Sequence, residues 1–310
     1  MVSGRHQTTL KNAINCTGIG LHSGRRVNMS LRPGAPGSGV VFERTDLEPN
    51  QRDVLVPARW DRVVDTQLGT TLGNADGVTV ATVEHLMAAF AGCGIDNVRV
   101  ELDGPEVPIM DGSSAPFVFL IECAGTVEQA ARRRAIRIRK SVRIEDGEKS
   151  ATLYPDEQFS VRFEIDFDSP AIDRTEGEFD IADGAFKRDI ARARTFGFER
   201  DVQQLHKLGL ARGGSLDNAV VVGNDHRILN EGGLRFDDEF VRHKVLDAVG
   251  DLYLAGAPIL GAFEGVRSGH SLNNRLLRAL MADETAWDYV DVAAAGSSRP
   301  AASVAIAASA

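Results

Sequence analysis

Residues 240–251 read Phe240-Val241-Arg242-His243-Lys244-Val245-Leu246-Asp247-Ala248-Val249-Gly250-Asp251. The stretch has helical period. Val241, Val245, Val249 and Leu252 fall on one apolar face, and His243, Asp247 and Asp251 step by four along the opposite one. A histidine and a carboxylate at i and i+4 form a two-point grip for a divalent cation, and imidazole nitrogen with carboxylate oxygen suits zinc. Asp251, one turn further on, suits an outer position that supports a ligand. Taken alone, the same residues also describe a solvated helix face with a chance His–Asp pair.

A second helix is expected over Thr82-Val83-Glu84-His85-Leu86-Met87-Ala88-Ala89-Phe90-Ala91-Gly92, with Thr82 as N-cap and Gly92 as the stop. Glu84 and His85 then lie in its first turn, where the positive end of the macrodipole favours an ionised Glu84. Adjacent helical residues point about 100° apart, so the two would take different roles around one centre. A capped helix with a surface Glu and His is the plainer alternative. The chain also carries a faint repeat: Glu84-His85 and Arg242-His243 each open an apolar helix that is followed by a glycine and a strand. Two α+β halves facing each other would bring these helix starts together. His85, His243 and Asp247 would then make three ligands, with a fourth position open, as in a catalytic zinc site.

The bulk properties exclude several other classes. The 310 residues suffice for one large or two medium domains, and 43% apolar with 25% charged residues is an ordinary globular composition. A net charge of −9 argues against a general nucleic-acid binder. No apolar run reaches the roughly 18–20 residues of a transmembrane helix, and Met1–Leu10 lacks a signal-peptide apolar core, so a cytoplasmic location is expected. Cys16, Cys93 and Cys123 are odd in number and lack CxxC spacing, so they read as reduced structural cysteines.

Elsewhere the chain alternates strands and turns. Thr17–Gly24 is a glycine-rich turn without the helix a dinucleotide motif needs. Strands are expected at 27–31, 78–81, 95–102, 150–155, 159–168, 219–222 and 259–264. Helices are expected at 115–124, 184–193, 202–208 and 272–282. Arg132–Lys140 is basic, but Ile136 and Ile138 alternate with Arg137 and Arg139, which suits an exposed strand face opening a second domain. Residues 126–131 read as the linker, giving an N-terminal domain over 1–125 and a C-terminal one over 126–290. Residues 291–310, rich in Ala, Ser and Gly, read as a mobile tail.

Several of these stretches, in order, are similar to one family. Thr17–Gly24, Thr82–Asn97, Pro108–Val118, Ala193–Phe198, Gly213–Val222, Leu234–Asp251 and Ser268–Asn274 resemble the UDP-3-O-acyl-N-acetylglucosamine deacetylases, zinc amidases of lipid A biosynthesis. No HExxH or GxSxG competes with that reading. The resemblance spans about residues 8–290. It implies an α+β fold of two similar α+β domains, with helices sandwiched between two outer β-sheets. It also implies one zinc, or iron(II) in the cell, on His85, His243 and Asp247. Glu84 corresponds to the general base, His270 to the general acid oriented by Asp251, Thr195 to the oxyanion donor, and Lys244 to a cationic contact near substrate and phosphate. Asp166 and Phe167 correspond to uridine contacts. Leu68, Gly69, Phe196, Val202, Ala211, Ser215 and Ala219 fall near the acyl-chain passage. The expected partner is an acylated UDP-sugar, with no nucleic acid, and the expected state is a monomer.

The chemistry of the carried-over residues is coherent. Zinc lowers the pKa of water to about 7 and polarises an amide carbonyl. Glu84 is placed to take a proton, Thr195 to stabilise an oxyanion, and an imidazolium at His270 to protonate the leaving amine near neutral pH. Two alternatives stay open here: a zinc deacetylase of another N-acetyl sugar, and a non-catalytic binder of acylated sugar nucleotide. A purely structural zinc site needs no base, acid or oxyanion donor, which disfavours the second.

Overall fold

Two helices buried on all sides lie at the centre of the molecule. The computed structural model describes residues 4–292 apart from 168, 173, 174 and 183. Among the described residues the α-helices are α1 (Glu84–Cys93), α2 (Ala115–Ala124), α3 (Glu199–Lys207), α4 (Glu239–Tyr253) and α5 (His270–Ala282). Every α1 residue from Glu84 to Ala91 is buried, as is every α4 residue except Arg242 and Lys244. A helix without a solvated face must be covered from both sides. A β-sheet lies on each side.

The first sheet orders its strands Ile14–Ile19, Arg26–Pro33, Val98–Leu102, Val40–Arg44, Leu55–Pro57. The second contains the run Val142–Asp146, Lys149–Tyr154, Ile259–Val266, Phe159–Ile165, Thr175–Asp180, and is extended by Arg134–Ile138 and Trp287–Asp291. In each run the middle strand is the last in sequence and follows α1 or α4. It runs antiparallel to one neighbour and parallel to the other. The repeat visible in the sequence is therefore a repeat of topology. Alternation sets the inward faces: Val27, Met29 and Leu31 from one sheet, Val161, Phe163 and Ile165 from the other, all in one apolar core with α1 and α4. This is the expected two-domain α+β fold.

Local details depart from expectation in four places. Thr82 is not an N-cap. Its φ is 57° and its hydroxyl donates to Glu106 Oε1 at 3.2 Å, while α1 starts after Val83 without a side-chain cap. Gly92 lies inside α1 against Phe186, and the stop is Gly94, whose φ of 67° is left-handed. The expected helix over 184–193 is a π-helical turn, Phe186–Ile190. The expected linker lies within a strand, Thr126–Arg132, paired antiparallel with His6–Leu10. The basic stretch that follows is neutralised locally: Arg137 and Arg139 pair with Asp288, Lys140 with Asp283, and buried Arg133 with Asp96. The expected tail over 291–310 starts too early: Asp291 closes the strand Trp287–Asp291 and Val292 is buried, while residues from 293 onward lie outside the described residues.

Where α1 and α4 cross, Gly250 touches the start of α1. A Cβ there would sit 2.0 Å from the Glu84 carbonyl oxygen. The Cβ is fixed by the α4 backbone and the oxygen belongs to the α1 backbone, so the helices would have to separate. Gly250→Ala is expected to lower Tm by about 5–10 °C, the effect of overpacking a tight core contact. An unchanged melting curve would show that the crossing is looser than drawn.

Candidate metal centre and its flanking groups

The crossing of α1 and α4 gathers the polar groups that the two helices bury. His85 Nε2 lies 3.6 Å and His243 Nε2 3.4 Å from Asp247 Oδ1, and each of the three side chains is buried. Donors at about 2.0–2.2 Å around a tetrahedral ion lie about 3.3–3.6 Å apart, so this spacing fits one cation. His243 Nδ1 faces the Ala193 carbonyl oxygen at 3.1 Å, which places its proton on Nδ1 and leaves the Nε2 lone pair free. Burial pushes the His243 pKa down to about 4 against the pull of Asp247, so the ring is neutral at physiological pH. Asp247 is held well below the usual carboxylate range. Burial opposes this, but the ammonium of Lys244 and the neighbouring imidazoles outweigh it. Two imidazoles and an ionised carboxylate are the donor set of a possible divalent-metal site.

Glu84 and His270 flank this cluster. Glu84 accepts a hydrogen bond from the Thr70 amide at 3.0 Å, and Gly69 closes against it, with space for no more than a Cβ 3.0 Å from Glu84 Oε1. Burial raises the Glu84 pKa, although the charge of His270 pulls it down. The helix N-terminus therefore does not win, contrary to the expectation from the macrodipole alone. His270 is the first residue of α5 and donates from Nδ1 to Asp251 Oδ2 at 2.8 Å. Burial works to lower its pKa. The charge and hydrogen bond of Asp251, with the charges of Glu84 and Asp247, outweigh burial and lift it to about 9.

The other expected residues fall into two groups. Lys244 donates to Asp247 Oδ2 at 2.7 Å, so its ammonium supports a ligand. Thr195 follows the Ala193–Arg194 segment that holds His243. Phe196 meets the His243 ring edge-on with centroids 6.2 Å apart and the Phe167 ring at 5.3 Å. Ala219 precedes the Val220–Val222 strand, which pairs parallel with Phe196–Phe198. Leu68, half exposed at a φ of 59°, projects beside Gly69. Asp166 is ion-paired with Arg267. Val202 on α3, Ala211 and Ser215 share no hydrogen bond or ring contact with the metal cluster among the described residues. Ala211 and Gly213 instead tie their loop to His22 and Leu21.

Three supporting elements were not foreseen from sequence. Asp251 takes two donors besides His270: Thr70 Oγ1 donates to Oδ1 at 2.6 Å, and Asn273 Nδ2 donates to Oδ2 at 2.9 Å. Glu239, fully buried, accepts from the Arg194 amide and guanidinium and clamps the segment carrying Ala193 and Thr195 to α4. Asn273 alone left a readable trace, at i+3 from His270 on one helix face.

The family model of the UDP-3-O-acyl N-acetylglycosamine deacetylases matches residues 7–282. The chain belongs to this family. It is 55% identical over 289 residues to the UDP-3-O-acyl-N-acetylglucosamine deacetylase of Acidithiobacillus ferrooxidans, covering 93% of each chain. The enzyme of the same name from Vibrio parahaemolyticus is 54% identical over 285 residues, covering 91% of this chain and 92% of that one. The Myxococcus xanthus deacetylase is 54% identical over 288 residues, covering 93% and 90%. The deacetylase family thus accounts for nearly the whole described chain, both halves of the candidate centre included. No helix among its described residues is long and apolar enough to cross a membrane.

Proposed function

We infer that the protein is an amidohydrolase that removes the N-acetyl group of UDP-3-O-acyl-N-acetylglucosamine, releasing acetate and the free glucosamine amine, an early step of lipid A biosynthesis. The observation that carries this is the buried His85–His243–Asp247 cluster with the Glu84 carboxylate and the His270–Asp251 pair beside it. A zinc ion on the three ligands supplies Lewis acidity, lowering the pKa of water and polarising the amide carbonyl. Iron(II) suits the same donors.

The chain's own residues do the rest. Glu84, once ionised, takes a proton from the attacking water. Thr195 donates its hydroxyl to the oxygen that gains charge as the carbonyl carbon becomes tetrahedral. His270, protonated and held by Asp251, gives its Nε2 proton to the nitrogen as the C–N bond breaks. Lys244 and the Ala193 carbonyl keep Asp247 and His243 in the states that bind a cation. Asp166 and Phe167 contact the uridine. Leu68, Gly69, Phe196, Val202, Ala211, Ser215 and Ala219 line the way for the acyl chain. We place the two halves at 1–125 and 126–290 and expect a cytoplasmic monomer.

The test is acetate release by the purified protein from UDP-N-acetylglucosamine with and without its 3-O-acyl chain, alongside metal analysis. Rapid release from the acylated sugar only, about one divalent metal per chain, and loss of most of that metal in both His85→Ala and His243→Ala are expected. Equal rates on the two sugars would favour a general N-acetyl-sugar deacetylase. Undiminished metal in both variants would refute the ligand set.

A further inference from the structure

Thr70 is buried, 2% exposed, and it touches both arms of the site at once. Its amide donates to Glu84 Oε2 at 3.0 Å, and its hydroxyl donates to Asp251 Oδ1 at 2.6 Å. Glu84 belongs to α1 and Asp251 to α4, so this residue is a direct bridge between the helices at the level of the reacting groups. We propose that Thr70 is a positioning residue that locks the base-bearing Glu84 and the Asp251–His270 pair into one fixed relative geometry. The proposal rests on the deacetylase reading for its kinetic consequence.

The hydrogen-bond inventory explains why the hydroxyl matters. Oδ2 of Asp251 serves His270 Nδ1 and Asn273 Nδ2, while Oδ1 accepts from Thr70. Asn273 is itself oriented by Ser268, whose hydroxyl donates to Asn273 Oδ1 at 2.9 Å. Three of the roughly four acceptor positions of Asp251 are therefore filled, and the carboxylate plane cannot turn without breaking a bond. Removing the Thr70 hydroxyl frees Oδ1, leaves it buried without that donor, and lets the plane rotate. The imidazole bonded to Oδ2 would follow. Misplacement of a catalytic group by about 1 Å costs up to about 100-fold in rate.

Thr70→Val keeps the shape and the amide donor to Glu84 and deletes only the hydroxyl. In the metal-loaded enzyme it is expected to lower kcat about 10- to 100-fold with KM changed less than about twofold. Thr70→Ser, which restores the donor, is expected to return kcat to within about threefold of the parent. In a His270→Ala background the Thr70→Val effect is expected to shrink to about twofold or less, because the group it positions is gone. A kcat within twofold of the parent in Thr70→Val overturns the proposal. So does an equal loss in the His270→Ala background, or failure of Thr70→Ser to rescue. Proton NMR of the metal-loaded protein gives a readout that needs no substrate. The low-field Nδ1 proton of His270, assigned by its absence in His270→Ala, is expected in the parent and in Thr70→Ser and broadened by exchange in Thr70→Val. If the parent releases no acetate, the deacetylase reading fails. The resonance then decides the bridge alone, and an unchanged signal in Thr70→Val overturns it.

Discussion

Glu84→Gln is expected to retain fold and metal and to lose about 10²–10⁴ in kcat, the usual contribution of a general base. Retention of the fold follows from the contacts. The glutamine oxygen can still accept from the Thr70 amide, and the side chain fills the same volume beside Gly69. Metal retention follows because Glu84 stands outside the ligand cluster. What disappears is the capacity to take a proton. Burial already raises the Glu84 pKa, which makes its carboxylate a stronger base than a solvated one. Metal content, circular dichroism and steady-state rates on one preparation make the check. Near-normal turnover with full metal would remove Glu84 from the reaction.

The second large effect concerns pH. A mechanism that needs Glu84 ionised and His270 protonated gives a bell-shaped kcat/KM. The sign follows from each group. Activity rises with pH as Glu84 loses its proton, at a value above the ordinary carboxylate range because the group is buried. Activity falls as pH climbs through the His270 pKa, which Asp251, Glu84 and Asp247 lift to about 9 against burial. A dication on the three ligands moves both limbs to lower pH, since positive charge favours the deprotonated forms. The acid limb belongs to Glu84 and its coupled neighbours together. Asp251→Asn is expected to shift the basic limb down, because the charge holding the imidazolium is removed. His270→Ala is expected to lower the rate and flatten that limb. An unshifted basic limb with undiminished rate in His270→Ala would leave His270 an electrostatic role only, with Glu84 returning the proton it had taken.

What could be read from the chain follows the reach of each interaction. α4 was legible because both its signals are local: apolar residues every 3.6 positions, and a His and an Asp one turn apart. The topological repeat was legible for a similar reason, since each copy shows a helix, a glycine and a strand in line. Thr82 looked like an N-cap because its neighbours are helical, yet its hydroxyl bonds Glu106 and its φ is positive. Residues 126–131 looked like a linker because their partner strand, His6–Leu10, is far away in sequence. Thr70 gave no sign at all, because the carboxylate it holds is 181 residues away in sequence. The Ala193 carbonyl that fixes His243 is a backbone atom, and no side-chain pattern could announce it.

One consequence follows from where the ligands come from. His85 is carried by α1, and His243 and Asp247 by α4, on the two copies of one topology. Neither copy holds a complete coordination set, so a cation can be gripped only when the two are docked. Binding and docking are then linked equilibria: a cation at 1,000 times its dissociation constant favours the docked state by about 4 kcal/mol. The ion that the chemistry requires is, by mass action, also a clasp across the molecule's internal seam.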